Sequence, residues 1–374
     1  MNRPDDVAVI GAGPAGTAAA LLLARAGLRV TLVDKARFPR PKACGEGVMP
    51  SGVRVLERLG ALGDVERAGR RFRGIRFVER SGRAAEGVFP GGESGIVVRR
   101  EELDALLIER ARADARIRVV EGRRAGRPLF EAGRLAGFET APAGQVRARE
   151  FLVADGALSP AAESLGVRRR LPRRRRFGLR THFRGLEGLG ASVEVFLFDG
   201  GEVYVAPQRE PGTALVSVLL EQSELGRFAG RTREALEETL RARAPLAARM
   251  RRAERLTPII GLGPFGGERE RVSGPGWLLA GDAAGGVDPI TGDGVALALR
   301  NAELAAETLL RRLRGESAES TGADYARARR ALTRETRWRA RLLLALTSGP
   351  AASRAAVAAL SASPRLFSLL LSGC

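Results

Sequence analysis

The chain has 374 residues, a formal net charge of +19, two cysteines (Cys44 and Cys374) and one histidine, His182. These counts exclude a disulfide framework and leave a zinc or non-haem iron site almost no ligands, so no metal centre is expected and the chemistry points to an organic cofactor. Every basic residue except Lys35 and Lys42 is arginine, and no run of about eighteen apolar residues would span a bilayer. Met1–Asp6 is too short and polar for a secretory signal, which makes the cytoplasm the expected location.

The first element is a buried-type strand, Val7–Ile10, running into Gly11-Ala12-Gly13-Pro14-Ala15-Gly16 and then a helix to Ala26. Gly11 suits a tight turn, Gly13 lets the backbone approach a pyrophosphate, and Gly16 lets helix and strand pack closely. The helix start at Pro14 and Ala15 turns free N–H groups toward phosphate. A second strand, Arg29–Val33, ends at Asp34-Lys35, where an acid can accept from both hydroxyls of a ribose. Together these predict an adenine dinucleotide.

Between Arg37 and Pro50 three prolines and two glycines forbid a regular element, so Lys42, Cys44, Gly45 and Glu46 fall on a long functional loop. A helix follows over Ser51–Leu62. Ile75–Val78 and Gly95–Val98 read as strands around a glycine-rich stretch, the expected start of an inserted second domain. Arg100-Glu101-Glu102 opens a helix with acids in its first turn. A strand at Ile117–Val120 and strand-like pieces at Leu129–Phe138 and Gln145–Val153, with turns at Gly126, Gly133 and Gly144, lead to an Asp155-Gly156 turn.

The arginine clusters Arg168–Arg170 and Arg173–Arg176 read either as attraction to an anionic membrane or nucleic acid, or as a solvated loop between domains. The lack of interleaved aromatic residues favours the solvated loop, and no specific nucleic acid is expected. Gly178–Phe183, Val193–Phe198, Glu202–Ala206 and Ala214–Leu220 then predict an antiparallel sheet, and Arg231–Ala244 a charged amphipathic helix. Trp277–Ala280 returns to the buried-strand pattern and meets Gly281-Asp282. The turn Asp288-Pro289-Ile290-Thr291-Gly292-Asp293-Gly294 precedes a helix to Arg314, and the remainder is helical with breaks at Gly349-Pro350 and Pro364.

With motifs at Gly11–Gly16, Asp155-Gly156 and Gly281-Asp282, the chain resembles the flavoprotein superfamily of p-hydroxybenzoate hydroxylase and geranylgeranyl reductase. The loop Pro41-Lys42-Ala43-Cys44-Gly45-Glu46 is similar to that of the geranylgeranyl reductase branch. The resemblance implies FAD, with Asp282 accepting from a ribityl hydroxyl and Gly292–Gly294 facing the pyrimidine end. It also implies an α/β (α+β overall) fold: a Rossmann-like, glutathione-reductase-type FAD domain (1–74, 99–168 and 270–320), an inserted antiparallel-sheet substrate domain (75–98 and 169–269), and C-terminal helices (321–374). Implied cofactor contacts are Gly11, Gly13, Pro14, Ala15, Gly16, Asp34, Lys35, Lys42, Cys44, Gly45, Arg100, Asp155, Gly156, Gly281, Asp282, Pro289, Gly292, Asp293 and Gly294. Cys44 and Pro289 are expected against the flavin ring, with Tyr204 and His182 on the cavity wall facing it; a satisfied structural histidine is the other reading of His182.

The function so implied is an FAD-dependent monooxygenase that hydroxylates an apolar aromatic or polyketide-type substrate through a flavin hydroperoxide. Its alternative is saturation of isoprenoid double bonds. A flavin halogenase and a basic membrane-surface flavoprotein with non-catalytic FAD rank lower, since the paired-tryptophan signature of halogenases is absent. The expected electron donor is NADH or NADPH or a partner reductase, and the expected substrate is a phenolic lipid, polyketide or isoprenoid. The leucine-rich tail raises an expectation of peripheral membrane contact.

Overall fold

The structure is a computed structural model that describes residues 5–372, so Met1–Pro4, Gly373 and Cys374, with the expectations attached to them, lie outside the described residues. Strand Asp5–Ile10 is buried from Val7 onward because it has parallel neighbours on both edges, Gln145–Val153 and Val30–Val33. Ile117–Val120 extends the parallel sheet on one side and Trp277–Leu279 on the other. Both faces of such a sheet are covered, which explains why these strands read as continuous apolar runs. The helix Pro14–Arg25 packs its alanines against the long helix Gly294–Leu313, whose own Ala302, Ala305 and Ala306 are buried there. The stretch Leu129–Phe138, expected as strand with a turn at Gly133, is part of a hairpin of Arg124–Glu131 and Arg134–Ala141 that turns there, with Gly133 at a φ of 76°, and is attached to Gln145–Val153.

The second sheet holds the four expected strands, Arg176–Arg184, Val193–Phe198, Gly201–Pro207 and Ala214–Glu221, in an order where Arg176–Arg184 pairs with Ala214–Glu221. Side chains alternate between its faces. Val203, Val205, Val216 and Val218 pack under the helix Thr232–Arg241, whereas Val195, Tyr204 and Ala206 face the other way. Gly74–Val78 joins this sheet in parallel beside Val193–Phe198 and is flanked by Ala84–Val88.

Ala84–Val88 was hidden by its glycine, and the reason is packing: a Cβ on Gly87 would lie 2.6 Å from Cγ of Phe367, so only glycine fits under that ring. Phe367 in turn stacks on Phe77, with centroids 5.1 Å apart, and this fastens the helix Pro364–Leu370 across the sheet. Gly95–Val97, expected with the second domain, pairs instead with Gly47–Val48 and Arg70–Phe72 in a small third sheet. It therefore buttresses the Cys44 loop and takes no part in the second sheet. No single helix among the described residues is long and apolar enough to cross a membrane, although Ala318–Leu346 and Pro350–Ala362, bent by 117°, pass together on length and composition.

Candidate active site

One cavity of about 510 Å³ lies between the two large sheets. Of the positions expected to bind cofactor or act in catalysis, all except Gly16, His182 and Asp293 line it.

At the end expected to hold adenosine, two of the three glycines are explained by the protein itself. A Cβ on Gly11 would meet the Ala154 carbonyl oxygen at 2.5 Å, and one on Gly16 would meet the Gly11 carbonyl oxygen at 1.8 Å. Gly13 differs, because its Cβ would find nothing nearer than Arg40 Nη2 at 3.8 Å. The space beside it is open to a ligand. The helix beginning at Pro14 has no side-chain cap, which leaves its first N–H groups for an anion. Asp34 accepts from Ala12 N–H at 2.7 Å and Ala36 N–H at 2.8 Å, so the acid is held at the strand end, with Lys35 exposed beside it. These features fit the dinucleotide.

In the middle of the cavity, Asp155 turns away from the expected ligand. Its carboxylate accepts from Ser159 Oγ and from Ala161 N–H at 3.1 Å, and so caps the helix Pro160–Ser164. Burial pushes its pKa up, against the hydrogen bonds of Ser159 and Ala161. The Asp-Gly pair thus contributes backbone, and Gly156 packs near Lys42 Nζ. Burial, then Arg100 and Arg40, push the Lys42 ammonium below its ordinary range, with Asp282 opposing. Burial also works against the charge of Arg100, but Asp104 and the Cys44 sulfur outweigh it, and two hydrogen bonds to Asp104, 2.9 and 3.0 Å long, keep the guanidinium in place.

At the opposite end Gly281 N–H donates to Asn301 Oδ1 at 2.8 Å, and Asn301 is itself held by Tyr325. This sets the turn that exposes Asp282 to the cavity, where its carboxylate accepts no hydrogen bond among the described residues. A polyol hydroxyl is a fitting partner. Pro289 and Gly292 line the cavity. Gly292 has a φ of 72°, and its Cβ would strike Cε of Met49 at 2.7 Å. Asp293 points back into the protein toward Arg339, and burial, opposed by Arg339, pushes its pKa up to about 6. Its contribution is to start the helix at Gly294, with the ligand left to its glycine neighbours.

Tyr204 is on the wall as expected, its hydroxyl donating to the Ile290 carbonyl at 3.1 Å. Burial, opposed by Arg176, pushes the phenol above its ordinary pKa, so it holds its proton. Phe72, Ile75, Phe77, Val193, Val195 and Leu370 make the rest of that wall apolar. His182 is not on the wall: it is 1% exposed and lies behind Glu46, which does line the cavity. The expectation that His182 faces the ring is corrected by its strand register, which aims it at the loop.

Sequence reasoning also missed Arg176 and Arg180. Arg176 ends a cluster read as a solvated loop, yet it is 1% exposed and bridges Glu202 and Asp288. Its neighbours Arg173–Arg175 are exposed, as expected. The predicted strand began at Gly178, which left Arg176 in the loop; the observed strand begins at Arg176 and puts it on the same face as Arg180 and His182.

The family described as FAD binding domain matches residues 5–339. The chain is similar to the menaquinone reductase of Mycobacterium tuberculosis, at 34% identity over 322 residues, covering 81% of this chain and 76% of that one. It is 31% identical to digeranylgeranylglycerophospholipid reductase 2 of Methanopyrus kandleri over 316 residues (81% and 76%). It is 28% identical to the 6-methylpretetramide 4-monooxygenase of Streptomyces rimosus over 335 residues (87% and 80%). Among solved structures, a flavoprotein/dehydrogenase from Cytophaga hutchinsonii shares the fold with a TM-score of 0.86 at 22% identity, over 99% of this chain and 92% of that one.

Proposed function

The chain belongs to the FAD binding domain family and is an FAD-dependent oxidoreductase, and on that premise we propose that it saturates carbon–carbon double bonds in the polyprenyl tail of a lipid or quinone. The observation that carries this reading is the pairing of an apolar wall, Phe72, Ile75, Phe77, Val193, Val195 and Leu370, with two relatives above 30% identity named for polyprenyl-tailed compounds.

Bound FAD, reduced by NADH, NADPH or a partner reductase, supplies a hydride with its electron pair. The chain's own residues do the rest. Gly13 and the uncapped helix start hold the diphosphate, Asp34 the ribose, and Asp282 the polyol. The apolar wall holds the tail by burial, at about 0.8 kcal/mol per methylene, and keeps water from the reacting end. The second new C–H bond takes a proton, and the Tyr204 hydroxyl on the wall, which holds its proton, is the proposed donor, re-protonated from solvent.

The tail's route is proposed to be through the C-terminal helices. Leu370 and Leu371 line the cavity, while Leu366 and Leu369, on the same short helix, are exposed next to Arg365. That edge suits peripheral contact with an anionic bilayer; liposome flotation that survives raised salt checks it.

A second reading, hydroxylation of an apolar aromatic compound, is favoured by the likeness to a monooxygenase over 87% of the chain. The deciding experiment gives dithionite-reduced holoprotein menaquinone without oxygen. After the quinone ring is re-oxidised in air, which removes the two hydrogens of any menaquinol, product still two mass units heavier supports the reductase, and product of unchanged mass contradicts it. Product sixteen units heavier, formed from a phenolic lipid only in air, would replace it with the hydroxylase.

A further inference from the structure

Side chains at every second position of a strand share a face. On Arg176–Arg184 that row contains Arg176, Gly178, Arg180 and His182. Gly178 lines the cavity. The side chains around it grip the two loops that close the reactive end. Arg176 Nη1 reaches Asp288 at 2.6 Å, and Arg180 donates to the Lys42 carbonyl at 2.9 Å through Nη2 and 3.2 Å through Nε. His182 Nε2 meets Glu46 Oε2 at 2.8 Å.

Two groups face His182 Nδ1: Arg180 Nη1 at 3.3 Å, which can only donate, and Thr257 Oγ1 at 3.0 Å, which already accepts from the His182 backbone N–H and has its own hydrogen to donate. With Nδ1 accepting from both, the ring N–H that faces Glu46 is on Nε2. Glu46 thus accepts from His182 at Oε2. It also accepts from Gln208 Nε2 at 3.1 Å on the same oxygen and from Arg100 N–H at 3.4 Å on Oε1. The three donors satisfy both oxygens of a side chain only 1% exposed and fix its position from three different segments. Glu46 has a φ of 61°, in the left-handed region that residues with a Cβ avoid. In that conformation its own N–H donates to Cys44 Sγ at 3.3 Å, and the Arg100 guanidinium lies beside the same sulfur.

We propose that Arg180 and His182 are positioning residues that act through the Lys42–Glu46 loop: they hold Glu46 in its left-handed conformation and so set the Cys44 thiol on the cavity wall. The strand of the substrate domain thereby fixes a group of the cofactor domain. The meaning of this for turnover rests on the function proposed above, but the geometry can be read from the thiol itself.

The test uses full-length holoprotein carrying Cys374→Ser and follows alkylation of Cys44 by iodoacetamide across pH. His182→Ala is expected to change the alkylation rate by about fivefold or more and to move its pH midpoint, because both the N–H contact and the Arg100 contact are loosened. His182→Gln, which retains an N–H donor, restores rate and midpoint toward wild type. Gln208→Leu gives a smaller change in the same direction and carries the test if His182→Ala does not fold. Rates within about twofold of wild type with an unmoved midpoint, in whichever of His182→Ala and Gln208→Leu fold, would overturn the positioning role. Failure to reduce any polyprenyl compound would overturn the proposed function and leave this result standing.

Discussion

The two ends of the cavity are built on different principles. At the adenosine end the geometry comes from the backbone: Gly11 and Gly16 permit contacts of their own turn, Gly13 leaves room for a ligand, and Asp34 is oriented by two N–H groups. At the opposite end the loops carrying Cys44 and Asp288 have little regular structure of their own and are held by side chains far away in sequence, Arg176, Arg180 and His182. A cofactor's common half can be bound by a module that needs nothing else. The loops expected to hold its reactive half are fixed instead by the second sheet.

Breaking the long-range brace should have the largest effect. Arg176→Met strands Glu202, which is 2% exposed, and frees Asp288, so a loss of about 3–5 kcal/mol is expected in chemical denaturation. Arg176→Met with Glu202→Gln should recover part of it; no recovery would mean that the buried charge is not the cause.

Asp293 sharpens the contrast through pH. Its folded pKa is about 6 against an ordinary value of 3.8, so between those values the native state holds a proton that the unfolded chain has released. Stability from this group is therefore fully present below the ordinary value and is lost as pH rises through about 6, a change of at most about 3 kcal/mol. Asp293→Asn should remove that component from the pH profile of stability. An unchanged profile would place Asp293 elsewhere.

The smallest effect belongs to the self-contained end. Gly13→Ala meets no protein atom within 3.4 Å, so the melting temperature of apoprotein should hold while FAD affinity falls about tenfold, some 1.4 kcal/mol. A destabilised apoprotein with normal affinity would reverse the assignment of that glycine.

The same contrast explains what the sequence made legible. Gly11–Gly16, Asp34 and the Gly281-Asp282 turn were readable because each is a local pattern whose purpose follows from backbone stereochemistry, and the parallel strands were readable as apolar runs. His182 could be placed on a strand but not aimed, since its partner Glu46 is distant in sequence and on a loop without periodicity. Arg176 was indistinguishable from its exposed neighbours, because burial of one arginine in a cluster leaves no mark on composition. Ala84–Val88 was obscured by the glycine that Phe367 requires. On the reaction, the family resemblance put hydroxylation first and saturation of isoprenoid double bonds second; the order proposed here follows the relatives of higher identity.

The claim that the two ends are built independently is tested most directly by calorimetric titration of Arg176→Met apoprotein with ADP and with FAD, beside wild type. ADP reports the adenosine end alone. The account predicts ADP affinity within about twofold of wild type and FAD affinity weakened by about tenfold or more. Equal losses for both ligands would contradict it.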